Sequence, residues 1–129
     1  IDANGDLDDI ADEFQFANTP KITSNLGFTY LNEINNWYLS INGDWAFRDE
    51  VKLDSKLATL TQGAYSLFNL GASVESPDGQ WRISLNGRNL TNEEYLVANY
   101  HSLDFGNDPN IGGFYGSPRT LTLSVRYSL

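Results

Sequence analysis

The sequence predicts an all-β, antiparallel transmembrane β-barrel segment, and three observations carry that prediction. The chain ends on a stretch in which Leu121, Leu123, Val125, Tyr127 and Leu129 alternate with Thr120, Thr122, Ser124, Arg126 and Ser128. A period of two residues is the mark of a strand with one apolar and one polar face. The same alternation recurs upstream in segments of roughly ten residues, the length with which a tilted strand crosses a membrane. The connections between these segments are alternately short and long, as in an up-and-down barrel with tight turns on one side and long loops on the other.

Taken in order, the first strand is expected over about Lys21 to Leu31, with Ile22, Leu26, Phe28 and Tyr30 sharing a face with Ser24. The second runs over about Asn36 to Arg48, with Trp37, Leu39, Ile41, Trp45 and Phe47 opposite Tyr38, Ser40, Asn42, Asp44 and Arg48. The third, about Ala64 to Glu75, sets Phe68, Leu70, Ala72 and Val74 against Asn69, Gly71 and Ser73. The fourth, about Gln80 to Leu90, sets Trp81, Ile83 and Leu85 against Arg82, Ser84, Asn86 and Arg88. The closing strand is the fifth. A short acidic helical turn is expected within Leu7 to Phe16.

Asn32 to Asn35 joins the first two strands, and Ser76-Pro77-Asp78-Gly79 joins the third and fourth. The latter is a turn with a mechanism, because proline presets φ, aspartate bonds its own backbone and glycine accepts positive φ. Long loops are expected over Asp49 to Gly63 and Thr91 to Pro118. Tyr30, Trp37, Trp81 and Tyr127 then fall near the short-turn rim on the apolar face, where aromatic girdles form at the headgroup level. A β-sandwich would alternate identically strand by strand. The competing reading is therefore a soluble secreted or periplasmic sandwich that binds glycans with the help of calcium, and independence from detergent would distinguish it.

Composition narrows function. A net charge of −9 with only 8 Lys plus Arg excludes a nucleic-acid footprint. No apolar run is long enough for a transmembrane helix, which leaves barrels untouched. There is no cysteine, hence no disulfide framework and no thiolate metal site. There is no methionine either, and Ile1-Asp2-Ala3 lacks the features of a signal peptide, so the start reads as a mature end, a cleavage point or a cut edge.

Trp81 to Tyr95 reads Trp-Arg-Ile-Ser-Leu-Asn-Gly-Arg-Asn-Leu-Thr-Asn-Glu-Glu-Tyr, and Gly116 to Leu129 opens the closing strand with Pro118-Arg119-Thr120. This pair of segments resembles the penultimate and final strands of TonB-dependent outer-membrane receptors. Asn18-Thr19-Pro20-Lys21 leading to Gly27-Phe28-Thr29-Tyr30 also resembles the wall of that family. The likeness is loose over the whole chain and good over its last fifty residues. It departs from the family at the end, where Leu129 stands in place of the usual aromatic residue.

The resemblance implies that residues 1–129 are the C-terminal portion, the last five strands, of a 22-stranded barrel with a plugged lumen. The plug and the other strands lie elsewhere, and this segment is incomplete on its own. It further implies a receptor in the Gram-negative outer membrane that takes up a scarce, bulky nutrient such as siderophore iron, cobalamin or a glycan. Its partners would be outer-membrane lipid, the rest of the same receptor, the nutrient, and the TonB complex acting through the plug and its TonB box. Such transport makes no bond, so no enzyme activity and no cofactor are expected.

Candidate chemistry is sparse. Asp2, Asn4, Asp6, Asp8 and Glu13 follow the spacing of a calcium loop, but Leu7 stands where the sharp turn needs glycine, so an acidic solvated loop is the favoured reading. His101 is a lone histidine without a partner base or second ligand in sequence. No nucleophile elbow, carboxylate pair across a cleft or phosphate-cradling glycine motif is present. Arg82, Arg88 and Arg126 are expected on the lumen face, solvated or against plug carboxylates. The ligand-facing piece is expected in the last loop, where Tyr95, Tyr100, His101, Phe105, Phe114 and Tyr115 are interspersed with Asn and Gly, adaptable polar groups around rigid rings.

Overall fold

The computed structural model describes residues 17–53, 61–103 and 109–129. The strands are β1 (Thr23–Ile34), β2 (Trp37–Arg48), β3 (Val51–Lys52), β4 (Thr61–Gln62), β5 (Tyr65–Glu75), β6 (Trp81–Arg88), β7 (Leu96–Leu103), β8 (Pro109–Tyr115) and β9 (Thr120–Tyr127). Five of them form one sheet in the order β1-β2-β5-β6-β9, each antiparallel to its neighbour. The other four are local ribbons, β3 with β4 and β7 with β8, inside the two long connections. The segment from Leu7 to Phe16 lies outside the described residues.

Directly opposed residues share a face, so the pairing tests the alternation strand against strand. Tyr30 pairs with Ile41, Ile41 with Ala72, Ala72 with Leu85 and Leu85 with Leu123. The next row toward the short turns is Leu39, Val74, Ile83 and Val125. The opposite face is polar: Ser40, Ser73, Ser84 and Ser124 form one row, and Asn42, Gly71, Asn86 and Thr122 another. Among the described residues nothing covers the apolar face. Leu26 and Leu123 are 67% and 68% exposed, and the buried apolar side chains among the described residues are Val51 and Leu53, beside the β3–β4 ribbon. A sandwich requires a second sheet packed on that face to make a dry core. Among the described residues there is none, and the sandwich reading falls.

The short connections are tighter than the sequence suggests. The first strand continues to Ile34, and the turn is Asn35-Asn36, not Asn32 to Asn35. Both asparagines have positive φ, 51° and 67°, the backbone of a two-residue type I′ turn whose twist matches the strands it joins. In the second turn the Ser76 hydroxyl donates to Asp78, the Gln80 amide donates to Asp78 Oδ1 at 3.0 Å, and Gly79 takes φ of 69°. The Ser76 hydrogen bond first, and the Gln80 amide second, hold the Asp78 carboxyl below its usual value. A lowered carboxyl pKa favours the folded turn at neutral pH, and that contribution is lost as pH falls through the lowered value.

Aromatic residues mark both ends of the apolar face. At the short-turn rim the Trp81 and Tyr127 rings lie 4.7 Å apart across paired strands, with Trp37 on the same rim. Tyr30, expected there, instead pairs with Ile41 in the row of Leu85, because β1 runs four residues beyond it before the turn. At the other end Trp45 and Phe47 stack at 6.3 Å, and Trp45 is paired with Phe68. From Trp37 to Phe47 is ten residue steps on one strand, about 33 Å of strand. At a tilt of about 40° that spans about 25 Å along the membrane normal, the height of the apolar band of outer-membrane barrels.

This face assignment makes a direct expectation. In the full-length protein folded into lipid, Leu85→Arg is expected to cost about 2–4 kcal/mol, the penalty for a cation near the bilayer midplane, while Ser84→Arg on the polar face costs far less. Equilibrium unfolding in lipid vesicles measures both, and equal penalties would remove the assignment.

Candidate functional site

The loop expected between the last two wall strands is an ordered antiparallel hairpin, β7 with β8, standing on a corner built by two asparagines. Asn89 is only 5% exposed and sits at φ of 48°, a conformation asparagine tolerates better than most residues. Its amide donates to the carbonyls of Glu93 at 2.8 Å and Ser117 at 3.0 Å, and its oxygen accepts from the Glu93 amide at 2.8 Å. Its own backbone N–H donates to Asn69 Oδ1 at 3.0 Å, and Asn69 in turn donates to Asp44 at 2.7 Å. Three residues on, Asn92 takes φ of 55° and its side chain accepts from the Arg119 amide at 3.0 Å. The two side chains therefore tie the end of β6 to both the outgoing and the returning leg of the hairpin. The fourth strand ends at Arg88 rather than Leu90 because this corner diverts the backbone.

Above the corner the stem is clamped by Tyr95. Its ring stacks on Tyr65 at 4.5 Å with an interplanar angle of 19°. A β-carbon at Gly116 would overlap the Tyr95 ring, so only glycine fits there. The Gly116 amide closes the stem on the Tyr95 carbonyl at 2.8 Å. Gln62 of β4 accepts from the Leu96 amide at 2.7 Å, which joins the β3–β4 ribbon to the base of the last hairpin.

The residues expected to face ligand are distributed as follows. Tyr95 is half-buried in the clamp, while Phe114 and Tyr115 are 58% and 67% exposed on β8. Tyr100 and His101 lie on β7 in register with Gly112 and Ile111. Phe105 lies outside the described residues, as do Asp2, Asn4, Asp6, Asp8 and Glu13. Tyr115 lines a recess of about 310 Å3 together with Glu93, Glu94, Gly116 and Pro118. Sequence reasoning missed Gln62, Tyr65 and the two glutamates, because their roles depend on which loop meets which. Among the described residues no group of three or more His, Cys, Asp or Glu gathers to hold a metal ion. No described helix is long and apolar enough to cross a membrane, which says nothing of a β-barrel. On the polar wall face, Arg82 is bound to Glu75 and pairs in register with Arg126, while Arg88 opposes Thr120.

Five wall strands with apolar rows on one face, polar rows on the other and aromatic rims form a barrel wall. The family model described as TonB dependent receptor-like, beta-barrel, matches residues 1–90. The chain belongs to the TonB-dependent receptor family. That match ends at Leu90, so it covers the first three wall strands and β6, and it complements the likeness of Trp81–Tyr95 and Gly116–Leu129 read from the sequence. No curated protein and no solved structure matches the chain. TonB-dependent receptors are transporters of the Gram-negative outer membrane and not enzymes, and the polar face of this wall is accordingly the face of the lumen.

The asparagine corner carries an expectation. Asn89→Ala removes three side-chain hydrogen bonds at a buried position with positive φ, a loss of about 2–4 kcal/mol at roughly 1 kcal/mol per bond plus the backbone strain. Limited proteolysis of the full-length receptor in membranes should then cut within residues 93–117 while the wall strands stay resistant. Unchanged protection of that segment would mean that the corner does not hold the hairpin.

Proposed function

We propose that the chain is the C-terminal portion of the barrel, its last five strands, in a receptor that takes up a scarce, bulky nutrient such as siderophore iron, cobalamin or a glycan. Uptake is driven by the TonB complex acting through a plug carried elsewhere in the receptor. The β7–β8 hairpin is the part of this segment that meets the nutrient. The observation that carries this reading is a clamped stem with exposed aromatic rings beside it. Tyr95 is stacked on Tyr65, whereas Phe114 and Tyr115 on the adjoining strand are 58% and 67% exposed to solvent. Rigid aromatic side chains presented by an ordered loop contact a bulky ligand with little loss of conformational entropy.

The test separates binding from assembly. Shortening Tyr100 to Tyr115 in the full-length receptor is expected to weaken nutrient uptake while heat-modifiable migration of the barrel persists, because loops tolerate deletion better than strands. Deleting from Arg119 onward is expected to abolish assembly, since an edge of unpaired backbone groups would face lipid. Normal uptake by the loop deletion would refute the ligand role, and a well-assembled barrel without β9 would refute the placement of β9 in the wall.

A further inference from the structure

The lumen face sorts its residues by charge. Two adjoining rows at its middle are uncharged: Thr29, Asn42, Gly71, Asn86 and Thr122 form one, and Leu31, Ser40, Ser73, Ser84 and Ser124 form the other. Among the described residues none of these amides and hydroxyls has a side-chain hydrogen-bond partner. At the centre Asn42 and Asn86 lean in from either side over Gly71, where a β-carbon would come within 2.7 and 2.8 Å of their Oδ1 atoms. The missing side chain lets two primary amides sit together across three strands. Amides and hydroxyls both donate and accept, as does every O–H group of a hydroxyl-rich ligand, so the two exchange hydrogen bonds without desolvating a charge.

Charge lies toward the two ends. Residues 91–118, the connection that holds the β7–β8 hairpin, contain Glu93, Glu94, Asp104 and Asp108 and neither Lys nor Arg. Residues 1–20, which lead into β1 at the same end, contain six carboxylates and neither Lys nor Arg. An anion arriving from outside meets like charge there. At the short-turn end Arg82 and Arg126 stand directly opposite one another, and among the described residues only Arg82 has a carboxylate partner, Glu75. Glu33, the other carboxylate of that row, lies on β1 at the far edge of the sheet. A cation drawn in past the acidic connections is therefore repelled at Arg126. A neutral molecule meets no electrostatic barrier at either end. On the hairpin, exposed Tyr115 lines a recess with Glu93 and Glu94. A flat ring beside carboxylates matches both surfaces of a sugar, whose C–H face packs on the ring while its hydroxyls donate to the carboxylates.

We infer that the nutrient of this receptor is an uncharged, hydroxyl-rich molecule, a neutral oligosaccharide, held at Tyr115, Glu93 and Glu94 and passed along the amide and hydroxyl rows of the lumen face. The inference rests on the receptor function proposed above and narrows its ligand to one chemical class. It sets aside anionic chelates of iron, which the acidic connections oppose.

The experiment offers the full-length receptor, in lipid nanodiscs, a mixture of neutral, uronic-acid and sulfated oligosaccharides together with a ferric tris-catecholate and cyanocobalamin. Mass spectrometry identifies what is retained. Neutral oligosaccharides are expected to be enriched about tenfold over acidic chains of the same length. Retention of an acidic oligosaccharide, the ferric chelate or cobalamin in their place, or of no compound at all, would overturn the inference. Repeating the capture with the receptor shortened over Tyr100 to Tyr115 separates this claim from the one beneath it. An anionic ligand that is lost on shortening refutes the neutral class and keeps the hairpin as the contact, whereas a neutral oligosaccharide retained in full refutes the hairpin contact and keeps the class. For the lumen rows, Asn42→Leu combined with Asn86→Leu keeps side-chain bulk and removes both amides. Uptake of the retained oligosaccharide by cells is expected to fall about tenfold while capture and heat-modifiable migration persist. Unchanged uptake would remove the lumen rows from the path, and Ser84→Ala with Ser124→Ala supplies the same reading if the leucines disturb assembly.

Discussion

Register across the five wall strands is the constraint from which the remaining features follow. In a membrane every backbone N–H and C=O must be paired within the protein, so strands survive there only as members of a ladder. The ladder fixes more than hydrogen bonds. Tyr30, Ile41, Ala72, Leu85 and Leu123 form one continuous row, and a slip of one residue between any two strands would turn the part of that row on one side of the slip into the lumen. Among the described residues no protein core buries the apolar face, and in a barrel wall such a face is turned to lipid. Val51 and Leu53 are the buried apolar residues among those described, and they sit beside a loop ribbon, away from the wall.

The two ends of the wall solve different problems. At one end the chain reverses in as few residues as it can. Asn35 and Asn36 adopt the left-handed backbone of a hairpin turn, and Ser76, Asp78 and Gly79 lock the other reversal with side-chain hydrogen bonds. At the opposite end the chain must leave the wall, build something outside it and return to the same ladder. Asn89 and Asn92 do this by bonding both legs of the excursion at once. Tyr95 then carries the ordered base outward onto Tyr65, and Gln62 links it to the ribbon between β2 and β5. A rigid stem holds the exposed rings beside it in a fixed place.

The lumen face and the lipid face are read by different rules. On the lipid face hydrophobicity suffices and the identity of each residue matters little. On the lumen face charge placement is specific: Glu75 pairs with Arg82, and among the described residues Arg126 has no carboxylate partner. That is consistent with membership in a family whose barrels carry a plugged lumen.

The wall was legible in the residues because a period of two is a local property. Alternation in Thr120 to Leu129 or in Trp37 to Phe47 needs no knowledge of any other strand, and Pro77-Asp78-Gly79 announces its turn through backbone chemistry alone. So five strands, their order, their faces and the short-turn aromatics Trp37, Trp81 and Tyr127 could be read directly, though not the place of Tyr30, which depends on where β1 ends. The boundaries were less secure, since Asn32 to Asn35 looks as turn-prone as Asn35-Asn36, and only pairing of Ile34 with Trp37 decides between them. The contents of the long connections were not legible. Residues 91–118 show no clean alternation, and β7 and β8 exist because they pair with each other across a bulge. The roles of Asn89, Gln62, Tyr65 and Gly116 lie deeper still. Each depends on a partner distant in the chain, and no local pattern encodes a contact between one loop and another.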